Sequence, residues 1–127
     1  MNNPKPSAVL FVKDLARVTA FYRDALGLAC KTSDPHHAAF DVDGFRLVVH
    51  QIPPPLAADV VVGDPPQRRS RASLRLDYPV RDVAAARVRA HELGGGIDEQ
   101  SPEWAGMPGF FLGFDPEGNV LGVKSAV

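Results

Sequence analysis

Few side chains in this 127-residue chain carry the chemistry of a conventional active site. His50 is one: an imidazole titrates near neutrality and can serve as a base, although a lone histidine in an extended run is more often a hydrogen-bonded structural residue. His36 and His37 follow Pro35 in a turn, and neighbours on an extended chain point apart, so they are not a chelating pair. His91 falls on the polar side of a helical stretch and is expected in solvent. Cys30, the single cysteine, has no flanking residues that would activate a thiol. Arg75 and Asp77, two apart in an alternating run, share a face, where the guanidinium could take an anion or simply pair with its neighbour. Arg46 poses the same choice. Trp104, in Pro102-Glu103-Trp104-Ala105-Gly106-Met107-Pro108, is a large amphipathic ring between proline and glycine, suited to stacking on a ligand at a cavity mouth or to plugging a dimer interface.

The elements that must position these residues belong to one domain. Hydrophobic residues make up 45% and charged residues 23%, which excludes a disordered tail, a collagen-like rod and a coiled coil. The formal net charge is −1, so there is no broad electrostatic footprint for nucleic acid or an anionic membrane. No apolar run approaches membrane-spanning length, and the opening residues lack a signal-like apolar segment. One cysteine allows no intrachain disulfide, which suits a reducing cytoplasm. Twelve prolines and 11 glycines predict short elements and tight turns rather than a helical bundle.

The chain is written twice. Val12-Lys13-Asp14-Leu15-Ala16 recurs as Val80-Arg81-Asp82-Val83-Ala84. Leu15, Val18, Tyr22 and Ala25 in the first copy answer to Val83, Ala86, Ala90 and Leu93 in the second, a spacing that marks one face of a helix. Asp14 and Asp82 sit where N-caps belong, and Gly27 and Gly94 where the helices stop. An alternating stretch precedes each helix. Ala8, Leu10 and Val12 form one face of the first, Leu74, Leu76, Tyr78 and Val80 one face of the second. Three strands should follow each helix, at 28–32, 37–42 and 45–51, and at 97–100, 109–114 and 119–124. Asp43-Gly44 and Asp115-Pro116-Glu117-Gly118 are the hairpin turns. The second copy is longer in the loop 101–108. Each half therefore reads β-α-β-β-β. The modules span 1–52 and 71–127, and the proline-rich connector 53–70, with Arg68 and Arg69, reads as a solvated linker or a basic lid over a ligand site. The expected class is α+β, with two βαβββ modules forming a curved, mostly antiparallel sheet around a concave cleft.

Paired modules of this kind resemble the vicinal oxygen chelate superfamily, which includes glyoxalase I, extradiol dioxygenases, fosfomycin-resistance enzymes and bleomycin-resistance proteins. The resemblance rests on Val12-Lys13-Asp14-Leu15 through Phe21-Tyr22-Arg23-Asp24-Ala25-Leu26-Gly27-Leu28, on Phe114-Asp115-Pro116-Glu117-Gly118-Asn119, and on the repeat itself. It implies a homodimer, with the modules paired within one chain or across two. It also implies a metal tetrad of His or Glu, seven residues before each capping Asp and four after each hairpin Gly. Those positions here are Ser7, Arg75, Val48 and Gly122. Val and Gly offer no donor atom and Arg repels a cation, so no metal and no cofactor are expected.

The face that would carry the metal is then lined by other groups. Alternation from the four positions gives Ser7, Val9 and Phe11; Arg46 and His50; Arg75 and Asp77; Val120 and Lys124; and, from the remaining strands, His37, Ala39, Asp41, Gly109, Phe111 and Gly113. The expected ligand-binding set is Phe11, Arg46, His50, Arg75, Trp104 and Phe111, a mixture of aromatic and charged groups that suits an aromatic or anionic small molecule. The expected function is sequestration of such a compound, in the manner of bleomycin-resistance proteins. The alternative is a divergent, metal-independent lyase, isomerase or dioxygenase-like enzyme of the same superfamily, with His50 and a pocket arginine doing acid–base and oxyanion work.

Overall fold

The computed structural model describes residues 5–126; the outermost residues of both expected modules, 1–4 and 127, lie outside the described residues. Strand β1 (Ser7–Val12) leads into helix α1 (Leu15–Ala20), which widens into a π turn over Phe21–Ala25. Strands β2 (Ala29–Ser33), β3 (His37–Val42) and β4 (Phe45–Gln51) complete the first module. One helical turn, α2 (Pro54–Ala57), lies in the connector. The second module runs β5 (Leu76–Val80), α3 (Val83–Glu92), β6 (Gly96–Ile97), β7 (Phe110–Phe114) and β8 (Val120–Ser125). No helix among the described residues is long and apolar enough to cross a membrane.

The repeat is visible in the caps. Asp14 accepts the backbone N–H of Arg17 at 3.1 Å, and Asp82 that of Ala85 at 3.0 Å. Each side chain satisfies one of the orphan donors that open a helix, worth about 1 kcal/mol. Both helices are followed by glycines with positive φ, Gly27 at 73° and Gly94 at 95°, where a side chain would be strained.

The α+β class and both βαβββ modules are present, with the strands divided between two four-stranded sheets, ordered β1-β4-β3-β2 and β5-β8-β7-β6. In each sheet the first strand of the module runs parallel to its neighbour and the other pairs are antiparallel. Strands β1 and β5 are therefore edges, one in each sheet.

The two sheets share one core. Leu47, Val49, Phe40 and Val12 from the first sheet, Tyr78, Leu121 and Val123 from the second, and Val18, Phe21, Ala86 and Ala90 from the helices form a single buried cluster. Tyr22 joins the halves: its ring lies 6.3 Å from Phe40 and 5.7 Å from Tyr78, and its hydroxyl donates to Asp115 at 2.8 Å. The helix-covered faces of the two sheets thus converge on one interior. Their outer faces, which should carry the ligand site, are turned away from that interior and expose Val9, Phe11, Trp104 and Met107.

Candidate functional site

On the outer face of the first sheet, strand register sorts the side chains into three rows. Ser7, Arg46 and Asp41 form the first, Val9, Val48 and Ala39 the second, Phe11, His50 and His37 the third. The first row is charged and internally paired: Asp41 receives Arg46 at 3.0 Å and Lys5 at 3.1 Å, and these bonds hold its carboxyl below the ordinary range. The third row is aromatic. Phe11 lies 5.7 Å from His50, and His50 6.3 Å from His37 with the rings nearly parallel. His50 Nδ1 is 2.8 Å from the carbonyl of Gln51 and His37 Nδ1 is 2.9 Å from Asp34. If each Nδ1 carries the proton, both Nε2 atoms are acceptors.

The outer face of the second sheet is built around Arg75. Its Nε and Nη2 donate to the two carboxylate oxygens of Asp77 at 2.7 and 3.2 Å. Its guanidinium carbon stands 4.8 Å above the ring of Phe110 and 5.7 Å from that of Trp104. Trp104 in turn meets Phe110 edge-on at 6.1 Å. Arg75, Asp77, Trp104, Met107, Phe110 and Lys124 surround a recess of about 160 Å³. Gly122 makes the room. A Cβ there would collide with Asp77 Oδ1 and with the ring of Phe110.

Phe111 is a correction. It was expected on this outer face; it lies instead on the helix-covered side, packed against the core, with the Arg87 guanidinium 5.0 Å from its ring. Phe110 holds the outer position. The reason is register: Phe110 pairs with Lys124, Leu112 with Gly122 and Phe114 with Val120, and directly paired residues share a face. The run Phe110-Phe111-Leu112 is apolar throughout, so its own alternation is unreadable. The signal that could have placed it is the hairpin. Once Val120, Gly122 and Lys124 face outward, their antiparallel partners must follow, and the bond from Asp115 N–H to the Asn119 carbonyl at 3.0 Å closes the turn that aligns them. Gly109 and Gly113 move to the other face with Phe111.

The remaining expected residues fall into two groups. Phe11 and His50 meet on the first sheet, and Arg75 and Trp104 on the second; Arg46 lies at the charged end, engaged with Asp41. No contact among the described residues brings the two groups together. The connector is not a free linker at its end. Arg68 pairs with Asp98 at 2.8 Å and covers Phe114 at 5.5 Å, and Arg69 N–H donates to the Gly118 carbonyl at 2.8 Å.

The four positions that would hold a metal do not suit one. Val48 and Gly122 lack donor atoms, Ser7 offers one neutral hydroxyl, and Arg75 fills its place with a guanidinium clamped by Asp77. A cation beside it would meet the positive guanidinium, which the paired Asp77 offsets only in part. Among the described residues no cluster of three His, Cys, Asp or Glu side chains could hold an ion.

A much larger cavity, about 880 Å³, lies elsewhere, at the start of α1 beneath the connector. Its polar groups are mostly committed: Glu117 to the backbone of Lys13 and Asp14, Lys13 to the Val60 carbonyl, Asp34 to His37, and Arg23 to Asp24. Size alone does not make it the site. The recess at Arg75 combines aromatic surface with charged groups, which is the composition that fixes a ligand's orientation.

Comparison with known proteins gives the family. A family model described as a glyoxalase-like domain matches residues 7–123, nearly the whole chain, and the chain belongs to that family. No curated protein matches the sequence. Among solved structures, the chain is similar to a glyoxalase-related enzyme from Fulvimarina pelagi, with a TM-score of 0.67 and 21% identity over 98% of this chain and 88% of that one. It is similar to the genomically encoded fosfomycin resistance protein FosX from Listeria monocytogenes, with a TM-score of 0.63 and 16% identity over 100% and 93%. A glyoxalase/bleomycin resistance protein from Albidiferax ferrireducens T118 follows at 0.64 and 15%, over 96% and 98%. At these identities the likeness establishes the fold.

Proposed function

We propose that this member of the glyoxalase-like family is a small-molecule binding protein of the bleomycin-resistance type, sequestering an aromatic or anionic compound. The observation that carries the reading is the Arg75–Phe110–Trp104 stack. Arg75 stands at one of the four positions where related metalloenzymes would need a ligand side chain, and the stack offers aromatic surface and a held cation instead.

The binding unit in this reading is a homodimer. A single chain presents two half-sites on faces turned away from each other. The edges of β1 and β5 are free of strand partners among the described residues, and Phe11 and Trp104 are 59% and 67% exposed. Two chains arranged so that β1 of one lies beside β5 of the other would face the Phe11–His50 row against the Arg75–Trp104 recess. That arrangement removes both edges and covers the exposed apolar groups. Nucleic acid and membrane are not partners in this account, and the compartment is the cytoplasm.

The test is a thermal-shift screen with aromatic and anionic compounds, followed by chemical analysis of the best one after incubation. A raised melting temperature with the compound recovered intact supports sequestration. One observation favours a second reading, a metal-independent lyase, isomerase or dioxygenase-like enzyme: His50, with Nδ1 held by the Gln51 carbonyl, can direct Nε2 outward as a base. Turnover abolished by His50→Ala would establish that reading instead.

A further inference from the structure

Resting on the sequestration reading, we infer that the recess at Arg75 is a carboxylate site, and that the compound it takes is a planar aromatic acid. The guanidinium has five N–H donors in a planar fork. Asp77 occupies one side of that fork, through Nε and Nη2. No other acceptor among the described residues bonds to Arg75, so the end-on edge, formed by Nη1 and Nη2, remains available. An end-on guanidinium edge matches the two oxygens of a carboxylate.

Three features make this edge a site rather than a surface arginine. Asp77 and the stack on Phe110 hold the guanidinium in place, so little rotamer freedom is lost on binding. The charge is unbalanced: one carboxylate, Asp77, faces two cations, Arg75 and Lys124, and the Lys124 ammonium stands 4.0 Å from Asp77, at the outer limit of an ion pair. Around the same recess, Trp104 and Met107 present apolar surface, 67% and 54% exposed in the single chain. A carboxylate on Arg75 would therefore carry its substituent onto the indole. The recess, about 160 Å³, is smaller than the roughly 300–1,000 Å³ of pockets for drug-sized ligands. As one half of the shared cleft, it has room for a single ring system.

Trp104 is the only tryptophan in the chain, so its emission reports the recess directly. The experiment titrates the full-length protein with benzoate, benzamide and cyclohexanecarboxylate while following tryptophan fluorescence, with inorganic phosphate as the ionic control. Saturable quenching by benzoate is expected. Benzamide, which lacks the charge, should bind at least about tenfold more weakly, the value of one charge-assisted hydrogen bond. Cyclohexanecarboxylate should also be weaker, and phosphate should leave the emission unchanged. Arg75→Lys keeps the charge and removes the fork, and should weaken benzoate by about tenfold or more. Circular dichroism checks that this variant is folded, and Lys124→Ala, at a more exposed position, gives a second, smaller loss by the same readout.

Benzoate and benzamide binding alike, Arg75→Lys binding as wild type, or no saturable response to benzoate would each overturn the inference. If benzoate fails while another small molecule still raises the melting temperature, sequestration stands and the ligand class is lost. If no small molecule does so, both are lost.

Discussion

The carboxylate of Glu117 accepts the backbone N–H of Asp14 at 2.7 Å, across 103 residues of chain. The same carboxylate takes the Lys13 N–H at 2.8 and 2.9 Å. Glu117 lies in the hairpin turn of the second module and Asp14 caps the first helix of the first. The turn of one module thus closes the helix start of the other, from a nearly buried position. A carboxylate at a helix N-terminus is also favoured by the helix dipole.

Glu117→Ala should destabilise the protein by about 1.5–3 kcal/mol, because it removes charge-assisted hydrogen bonds that hold the Lys13 and Asp14 N–H groups at a part-buried helix start. Glu117→Gln, which keeps one acceptor oxygen, should cost less. Urea denaturation of both variants measures this; equal and negligible losses would show that the turn does not couple the modules.

Asp115 provides a pH test of the same joint. Its carboxylate accepts Tyr22 Oη, Asn119 Nδ2 and the backbone N–H groups of Glu117 and Asn119. Burial pushes its pKa up, against the opposing pull of these donors. A carboxyl with a raised native pKa contributes stability that is fully present below its unfolded value, near 3.9, and is lost as pH rises through the native value. The gap in stability between wild type and Asp115→Asn should therefore be larger at pH 4 than at pH 7. Denaturation at the two pH values checks the sign.

Much of this architecture is legible in the amino-acid sequence. Asp14 and Asp82 could be identified as caps because the apolar periodicity begins directly after each. The strands at 37–42 and 45–51 were readable because polar and apolar residues alternate about a two-residue turn, and their observed bounds agree. Phe111 was not, since an unbroken apolar run carries no period. The role of Glu117 was hidden for a different reason: a glutamate in a hairpin turn looks solvated until the other module's helix is brought to it. The arrangement of the modules was equally hidden. An apolar helix face packs as well against a second module as against its own sheet alone, and only the shared core reveals that the outer faces diverge. Trp104 and Arg75 stood out by residue type, but Phe110 beneath them and the clearance at Gly122 depend on register.

Gly122→Ala should disturb the recess selectively. The added methyl collides with Asp77 and Phe110, so the ion pair that holds Arg75 must shift. Overpacking of this kind costs about 1–3 kcal/mol. Chemical denaturation should show that loss, and the melting-temperature gain from any compound bound at Arg75 should shrink with it. A variant as stable as wild type would mean that Asp77 and Phe110 are free to move.

Phe11→Glu tests assembly without touching the core, because Phe11 is 59% exposed in the single chain. Light scattering should give a dimer for wild type at micromolar concentration and a shift toward monomer for the variant, with unchanged circular dichroism. A wild-type monomer would remove the shared cleft from the account.

No stoichiometric divalent metal should accompany the protein, since Ser7, Val48, Arg75 and Gly122 cannot assemble the donors that such a site requires. Elemental analysis of untagged protein, with melting curves in Zn, Ni, Mn and chelator, measures this. A bound metal or a chelator-induced loss of stability would restore the metalloenzyme reading.

Native mass spectrometry of the untagged protein, incubated with the compound that most raises its melting temperature, tests the central claim most directly. The account predicts a two-chain species carrying that compound, metal-free and releasing it chemically unchanged. A single-chain species, a metal adduct, or a compound altered on release would contradict it.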